Sequence, residues 1–290
     1  MMKKILLTGA HGQLGKSILG CHEEIQKHRI FSTDVESLDI TDDKAVDFFF
    51  KEIKPDILIN TAAYTNVEGA EKEERLATKI NGEAPGLLAA LCKKYHTLLI
   101  HLSTDYVFDG TQKTGYLEMD PPNPLNAYGR SKLAGERAIA NAGAKALIIR
   151  TSWLYSEFEN NFIHTMLQRA RANQRLRVIN DQYGSPTYAG DLAKAILFLS
   201  NLPHPEETTY FHVANRGYTS WYHLAAKAFE YSGLTPDLTA TSTEDYATAA
   251  QRPAYSILNT NKLNTETHFT MPTWEEGLKQ CIDRISQQNL

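Results

Sequence analysis

Lys4-Ile-Leu-Leu-Thr8-Gly9-Ala-His-Gly12-Gln-Leu-Gly15 is the stretch that decides the fold. A short Ile/Leu run with little alternation suits a strand buried on both faces of a parallel sheet. It runs into three glycines, and the apolar positions that follow (Leu14, Ile18, Leu19) have helical spacing. A strand, a glycine turn and a helix start are what a dinucleotide pyrophosphate needs. Glycine permits close backbone approach, and the first turn of a helix offers unpaired N–H groups. The spacing is G-x-x-G-x-x-G rather than G-x-G-x-x-G, so the turn is built differently, and an ordinary βα turn is the bland alternative. The next run ends at Asp34, 19 residues after Gly15. A carboxylate there suits the ribose hydroxyls of an adenosine, although Asp39 and Asp42 nearby also fit a solvated acidic loop.

Similar runs recur at Arg29–Thr33, Asp56–Asn60, Thr97–Ser103 and Ala146–Arg150. Helical patterns separate them: Thr41 as N-cap of a helix stopped by Pro55, then Glu83–Lys94, then Ala127–Ala140 after the breaker-rich Asp120-Pro-Pro-Asn-Pro124. Alternating β and α elements predict an α/β fold with a doubly wound parallel sheet. In the second half, Asp191–Ser200 reads as a helix, Tyr210–Ala214 as a strand, and Trp221–Gly233 and Thr273–Ile285 as helices. Residues 1–152 are assigned to a dinucleotide-binding core to which segments near 187–215 return. Residues 153–290 go mainly to a smaller substrate lobe.

The 290 residues are 42% apolar and 22% charged, with a formal charge of −4. That composition excludes a disordered chain, and the charge argues against nucleic acid as a partner. No stretch approaches the roughly 18 apolar residues of a membrane span, and the N-terminal apolar run is too short for a secretory signal. Cys21, Cys92 and Cys281 are too few and too scattered for a disulfide framework or metal clip. No His-Glu-x-x-His occurs, and His22 and His28 read as helix-surface residues, so no metal is expected. The reading is a cytoplasmic protein.

The second signal is Tyr128-Gly-Arg-Ser-Lys132. At i, i+4 on a helix, the phenol and ammonium can share one site, where the cation would lower the phenol's pKa toward a useful range. Alone the pattern is common surface decoration. Here it opens a helix after a proline-rich loop and follows Leu102-Ser-Thr-Asp-Tyr-Val-Phe-Asp109, which closes the fourth strand at the sheet edge where doubly wound folds bind ligands. Thr104 can there hydrogen-bond a reacting oxygen beside Tyr128.

These motifs resemble the extended short-chain dehydrogenase/reductases and, more narrowly, the dTDP-4-dehydrorhamnose reductase family. The narrower match lies in Thr61-Ala-Ala-Tyr-Thr65, Ser103–Gly110, Pro124–Lys132, Arg150-Thr-Ser-Trp-Leu-Tyr155, Val178–Gly184 and Arg252-Pro253. The resemblance implies a Rossmann-type core and reduction of the 4-keto group of dTDP-4-dehydro-L-rhamnose by NADPH or NADH, for surface polysaccharide. Carried over by position, Gly9, Gly12, Gln13, Leu14 and Gly15 cradle the pyrophosphate. Asp34, Asp39 and Ile40 surround the adenosine, and Ala63, Tyr64 and Thr65 lie along the cofactor. Leu102 contributes through its backbone. Thr104, Asp105, Tyr128 and Trp153 line the substrate side. Tyr128 donates the proton, Lys132 tunes it and holds the ribose, and Asn81 supports the lysine. The substrate diphosphate asks for a cation, for which Arg252 is the choice; a surface arginine before proline is the alternative. A homodimer is the assembly the resemblance admits. The rivals are a related epimerase or 4,6-dehydratase, or a regulatory subunit that binds NADP without catalysis. Dehydratases of the superfamily carry Thr-Asp-Glu where this chain has Thr104-Asp105-Tyr106.

Overall fold

Strand β1 (Lys3–Thr8) shows why its sequence does not alternate. Ile5 and Leu7 enter one hydrophobic core and Leu6 enters another, all three fully buried. The same division holds for β3 (Ile57–Asn60), β4 (Leu98–Thr104) and β5 (Ala146–Thr151): Ile57, Ile59, Ile100 and Ile149 face one way, and Leu58, Leu99 and Ile148 the other. Each buried Leu or Ile contributes about 1.5–3 kcal/mol, so a sheet with two dry faces is the main store of stability. The computed structural model describes residues 2–158, 161–246 and 248–288. Part of the polar stretch 157–161 and the last two residues of the assigned lobe therefore lie outside the described residues.

All neighbours in the six-stranded sheet pair in parallel. With β2 at His28–Thr33, the order is Thr209–His212, β5, β4, β3, β1, β2. The chain leaves β1 for one side and returns for β3 on the other, and the crevice beyond their C-terminal ends is where such folds bind ligands. Helices Gln13–Leu19 and Ala189–Asn201 cover one face. Asp43–Ile53, Ala84–Tyr95 and Ala127–Ala142 cover the other. The expected doubly wound α/β fold is what forms. A separate core holds helices Phe162–Arg171, Trp221–Ser232 and Trp274–Gln288 together through Ile163, Leu224, Phe229, Leu278 and Ile282. Beside it, Tyr183–Gly184 pairs with Thr219–Ser220 and with Tyr255–Ser256. Among the described residues no helix is long and apolar enough to cross a membrane.

Three local expectations are corrected. The helix after Thr41 is capped by Asp42, whose carboxylate accepts from the N–H groups of Lys44 and Ala45, both at 3.0 Å. His28 is no helix-surface residue: it opens β2, is buried, and is held below its usual pKa by burial and then by Lys3 and Lys27. The helix expected from Glu83 is the last part of a longer run, Glu74–Thr78, a π-turn at Lys79–Glu83, then Ala84–Tyr95. Pro85 has no N–H to give to an α-helical ladder, and the wider turn absorbs that lost bond, the Ala84 N–H reaching back to the Lys79 carbonyl. The turn places Asn81 at the active-site end of the sheet.

Candidate active site

At one end of the crevice the glycine turn is shaped by close approach. A Cβ on Gly9, which has φ +74°, would lie 2.6 Å from the Ala62 nitrogen, and one on Gly15 would lie 2.3 Å from the Gly9 carbonyl oxygen. No other residue lets the turn sit against the sheet and the helix start against the turn. Gly12 caps the helix with no side chain, so its first turn keeps open N–H groups. Gly9, Gly12, Gln13 and Leu14 line a cavity of about 1740 Å³. Gly15 does not line it, and its role is packing. Asp34 lies at the wall and accepts from the His11 N–H at 2.7 Å. The His11 ring lies 3.9 Å from Asp34 and 4.0 Å from Glu36, with His11 and Glu36 exposed and Asp34 half-buried. Asp39 and Ile40 line the same end, one exposed and one buried.

Ala63 and Thr65 continue the wall, but Tyr64 does not. Its backbone N–H and carbonyl are both tied to the Asn81 side chain at 2.9 Å, and its phenol donates to Glu73 at 2.6 Å, away from the cavity. Asn81 also donates to Ser131 at 3.0 Å. It therefore holds the residue before Lys132 and the Tyr64 backbone, a support that needs no bond to the lysine itself.

At the other end, helix Ala127–Ala142 is capped by Asn126, which accepts from the Gly129 N–H at 2.8 Å. This cap fixes Tyr128 and Lys132 in the cavity wall, beside Leu102, Thr104 and Asp105. The Lys132 ammonium donates to the Leu102 carbonyl at 2.5 Å. Burial pulls its pKa down to about 8, against the opposing charge of Glu136 one turn along. Burial pushes Tyr128 up to about 12; its hydrogen bond with Thr104 opposes this and the Asp105 charge adds to it. The ammonium faces the Leu102 carbonyl, and burial dominates the Tyr128 shift.

Thr104 accepts from the Tyr106 N–H at 3.1 Å and donates to Asp105 Oδ1 at 3.0 Å. Asp105 is buried and also receives hydrogen bonds from Ser152, at 3.0 Å, and Ser256. Its carboxyl is pushed up to about 6 by burial, against these three hydroxyls. Ser152 and Ser256 were not singled out from sequence. Ser256 carries no local signal at all, while Ser152 stood inside Arg150-Thr-Ser-Trp-Leu-Tyr155.

Trp153 lines the cavity with a left-handed backbone (φ 46°) and stacks on Trp221, ring centroids 3.6 Å apart. Arg252 also lines it, paired with Glu68 at 2.6 Å and hydrogen-bonded to the Tyr106 phenol. Glu68 in turn accepts from the N–H groups of Ala249 and Ala250, so it anchors the whole 249–252 segment. Behind Lys132, Arg150 makes a two-pronged contact with Glu136 at 2.9 and 2.6 Å, all of it buried.

A doubly wound parallel sheet whose crevice joins a glycine turn to a buried Tyr-x-x-x-Lys pair beside a threonine defines an oxidoreductase of the extended short-chain dehydrogenase/reductase class. The model of the family described as RmlD substrate binding domain matches residues 2–287. A dTDP-4-dehydrorhamnose reductase from Aggregatibacter actinomycetemcomitans is 36% identical over 287 residues, covering 96% of this chain and 98% of its own length. The spore coat polysaccharide biosynthesis protein SpsK of Bacillus subtilis is 38% identical, with 98% and 99% covered. The crystal structure of dTDP-4-dehydrorhamnose reductase from Bacillus anthracis, in complex with NADP, superimposes with a TM-score of 0.93 at 39% identity, covering 98% of this chain and 100% of that one. A UDP-glucose 4-epimerase from Thermus thermophilus, at 18% identity and a TM-score of 0.82, shares the fold. The chain belongs to the dTDP-4-dehydrorhamnose reductase family.

Proposed function

We propose that the protein reduces the 4-keto group of dTDP-4-dehydro-L-rhamnose to give dTDP-L-rhamnose, with Tyr128 as proton donor. The observation that carries this is one cavity walled at one end by Gly9, Gly12 and Gln13 and at the other by Thr104, Tyr128 and Lys132. The residues fit a nicotinamide dinucleotide: the turn tolerates no Cβ at Gly9 or Gly15, and Asp34 offers a carboxylate at the cavity wall to ribose hydroxyls. NADPH or NADH, when bound, supplies the hydride.

The chain's own residues do the rest. Gly9, Gly12, Gln13 and Leu14 hold the pyrophosphate, Asp34, Asp39 and Ile40 the adenosine, and Ala63, Thr65 and the Leu102 backbone the length between. Tyr128 keeps its proton at neutral pH because burial holds its pKa high, and it gives that proton to the oxygen on which negative charge develops. Lys132 provides positive charge close by and a donor for the nicotinamide ribose. Trp153 offers a flat face to the nucleotide side. Arg252, already paired with Glu68, presents the remainder of its guanidinium to a diphosphate. Residues 1–152 with the returning segments near 187–215 would serve as the cofactor-binding part, in the cytoplasm.

The test follows NAD(P)H absorbance with dTDP-4-dehydro-L-rhamnose, using UDP- and GDP-linked 4-keto sugars as controls. Wild type should oxidise the cofactor with the dTDP sugar. Tyr128→Phe should lose about 10²–10⁴-fold in kcat while cofactor affinity changes far less. Near-normal turnover by Tyr128→Phe would remove the acid assignment. Cofactor binding without turnover of any 4-keto sugar would make the protein a regulatory subunit.

A further inference from the structure

Glu68 is bonded to the cavity wall without being part of it: Val67 and Arg252 line the cavity, and Glu68 does not. It sits in the short helix Val67–Ala70, which Asn66 caps by accepting from the Gly69 N–H at 2.9 Å. The two carboxylate oxygens of Glu68 divide their work. Oε2 accepts from the N–H groups of Ala249 and Ala250, at 2.8 and 3.2 Å, and Oε1 pairs with Arg252 Nη2 at 2.6 Å. Arg252 also donates to the Ala250 carbonyl at 3.4 Å and to the Tyr106 phenol. Asn126 donates to the Gln251 carbonyl at 2.8 Å, which fixes the backbone next to Arg252. A guanidinium is a rigid plane with five N–H groups, so partners on this scale set its orientation and still leave donors for a ligand.

We infer that Glu68 is a positioning residue that acts through Arg252: it fixes the plane of the guanidinium in the cavity wall, so that the substrate's diphosphate meets a donor fork already in place. This rests on the proposed reductase function, in which Arg252 receives the diphosphate. A long side chain gives up rotamer freedom when it grips an anion, and a partner that has already removed that freedom strengthens binding. The Glu68 charge also repels an incoming anion. It stands outside the cavity lining, however, and its side chain is 42% exposed, so water weakens the repulsion. Orientation is then the larger effect, and the sign of the change in affinity decides between the two. Glutamine is the informative replacement. Its carbonyl can still accept from Ala249 and Ala250, while its amide turns N–H groups toward the guanidinium and gives Arg252 no acceptor.

The test is a calorimetric titration of dTDP into wild type, Glu68→Gln, Arg252→Met and the double variant, with NADPH titrated in parallel. Glu68→Gln should weaken dTDP about 3- to 10-fold, and should cost nothing further once Arg252 is methionine. NADPH affinity should stay as in wild type, because the cofactor end of the cavity is untouched. In the NAD(P)H assay the same variant should raise KM for the dTDP sugar by a like factor with little change in kcat. Unchanged or tighter dTDP binding overturns the inference. So does a loss that persists in the Arg252→Met background, since Glu68 would then act through the fold of segment 249–252. Should Glu68→Gln fail to fold, Glu68→Asp keeps the charge but draws it back by one methylene. A severalfold loss of dTDP affinity that vanishes with Arg252→Met supports the role, and a persistent loss or none overturns it. A wild type that binds dTDP but turns over no 4-keto sugar overturns the reductase reading and leaves the titration to decide on Glu68. A wild type that binds no dTDP overturns both.

Discussion

Asp105→Asn should make the protein more stable at neutral pH. The carboxyl ionises near pH 6 in the folded chain against 3.8 for an ordinary aspartate, a gap of about 3 kcal/mol. A raised folded-state value means that folding favours the protonated form. Its contribution is therefore fully present below pH 3.8 and is lost as pH rises through 6. At pH 7.5 the wild type carries a buried charge that three hydroxyls only partly compensate, and the amide carries none. The hydroxyls can rotate to suit an amide, so little is lost in exchange. The stability difference between variant and wild type should be near zero at pH 4 and grow to about 2–3 kcal/mol in the variant's favour by pH 7.5. Urea unfolding of both proteins across that range measures it, the comparison cancelling every other titrating group. A difference that stays flat with pH, or a variant less stable at pH 7.5, would show that Asp105 is not ionised at a cost.

Lys132 should set the high-pH limb of the reaction. Its ammonium loses its proton near pH 8 while Tyr128 keeps its own to about 12, so the rate should fall above pH 8. Lys132→Arg should push that fall beyond about pH 10, and a limb that stays put belongs to another group. Glu136→Gln leaves the buried Arg150 without its counter-charge and should cost about 3–5 kcal/mol in urea unfolding; a loss under about 1 kcal/mol would show that water reaches the pair. Asp34→Ala should shift kcat/KM from NADH toward NADPH by removing a charge that repels a 2′-phosphate, and equal effects on both cofactors would place Asp34 elsewhere. Trp153→Ala should raise KM more than it lowers kcat, and an unchanged KM in a folded variant would leave Trp153 with its stack on Trp221 as its whole role.

What could be read from sequence and what could not divide along physical lines. β1, β3, β4 and β5 announce themselves because they are fed by two cores at once, which leaves an unbroken apolar run. Gly9–Gly15 and Tyr128–Lys132 are legible because their spacing is itself the geometry. Ser256 is different. It reaches Asp105 because Tyr255–Ser256 pairs with Tyr183–Gly184, a two-residue ladder too short to show any period. The resemblance puts Tyr64 along the cofactor with Ala63 and Thr65, and only the Glu73 and Asn81 contacts reveal that its phenol turns away. The direction of the Lys132 ammonium was equally out of reach, since spacing places a side chain on a helix face but does not choose its partner. The π-turn around Asn81 followed from Pro85, but a proline near a helix start normally signals an ordinary first turn.

The chain's order of assembly bears on how such a protein can diversify. The glycine turn, Asp34 and the wall of Ala62, Ala63 and Thr65 all lie in the first 65 residues, on β1, β2 and β3 or just beyond them. Trp153 packs against the second core, and Arg252 and Ser256 hang on a loop and a two-residue strand outside the main sheet. A substitution there meets no strand of the main sheet, so the lining that faces a sugar can drift while the inherited half stays intact. The segment 249–252 is the place to begin, because its tie to the rest is a handful of side chains: Glu68, Asn126, which donates to the Gln251 carbonyl at 2.8 Å, and Tyr106, bonded to Arg252. Lineages that accept a different sugar on this scaffold should therefore carry their changes at that tie and at the Trp153–Trp221 stack before any appear in the sheet.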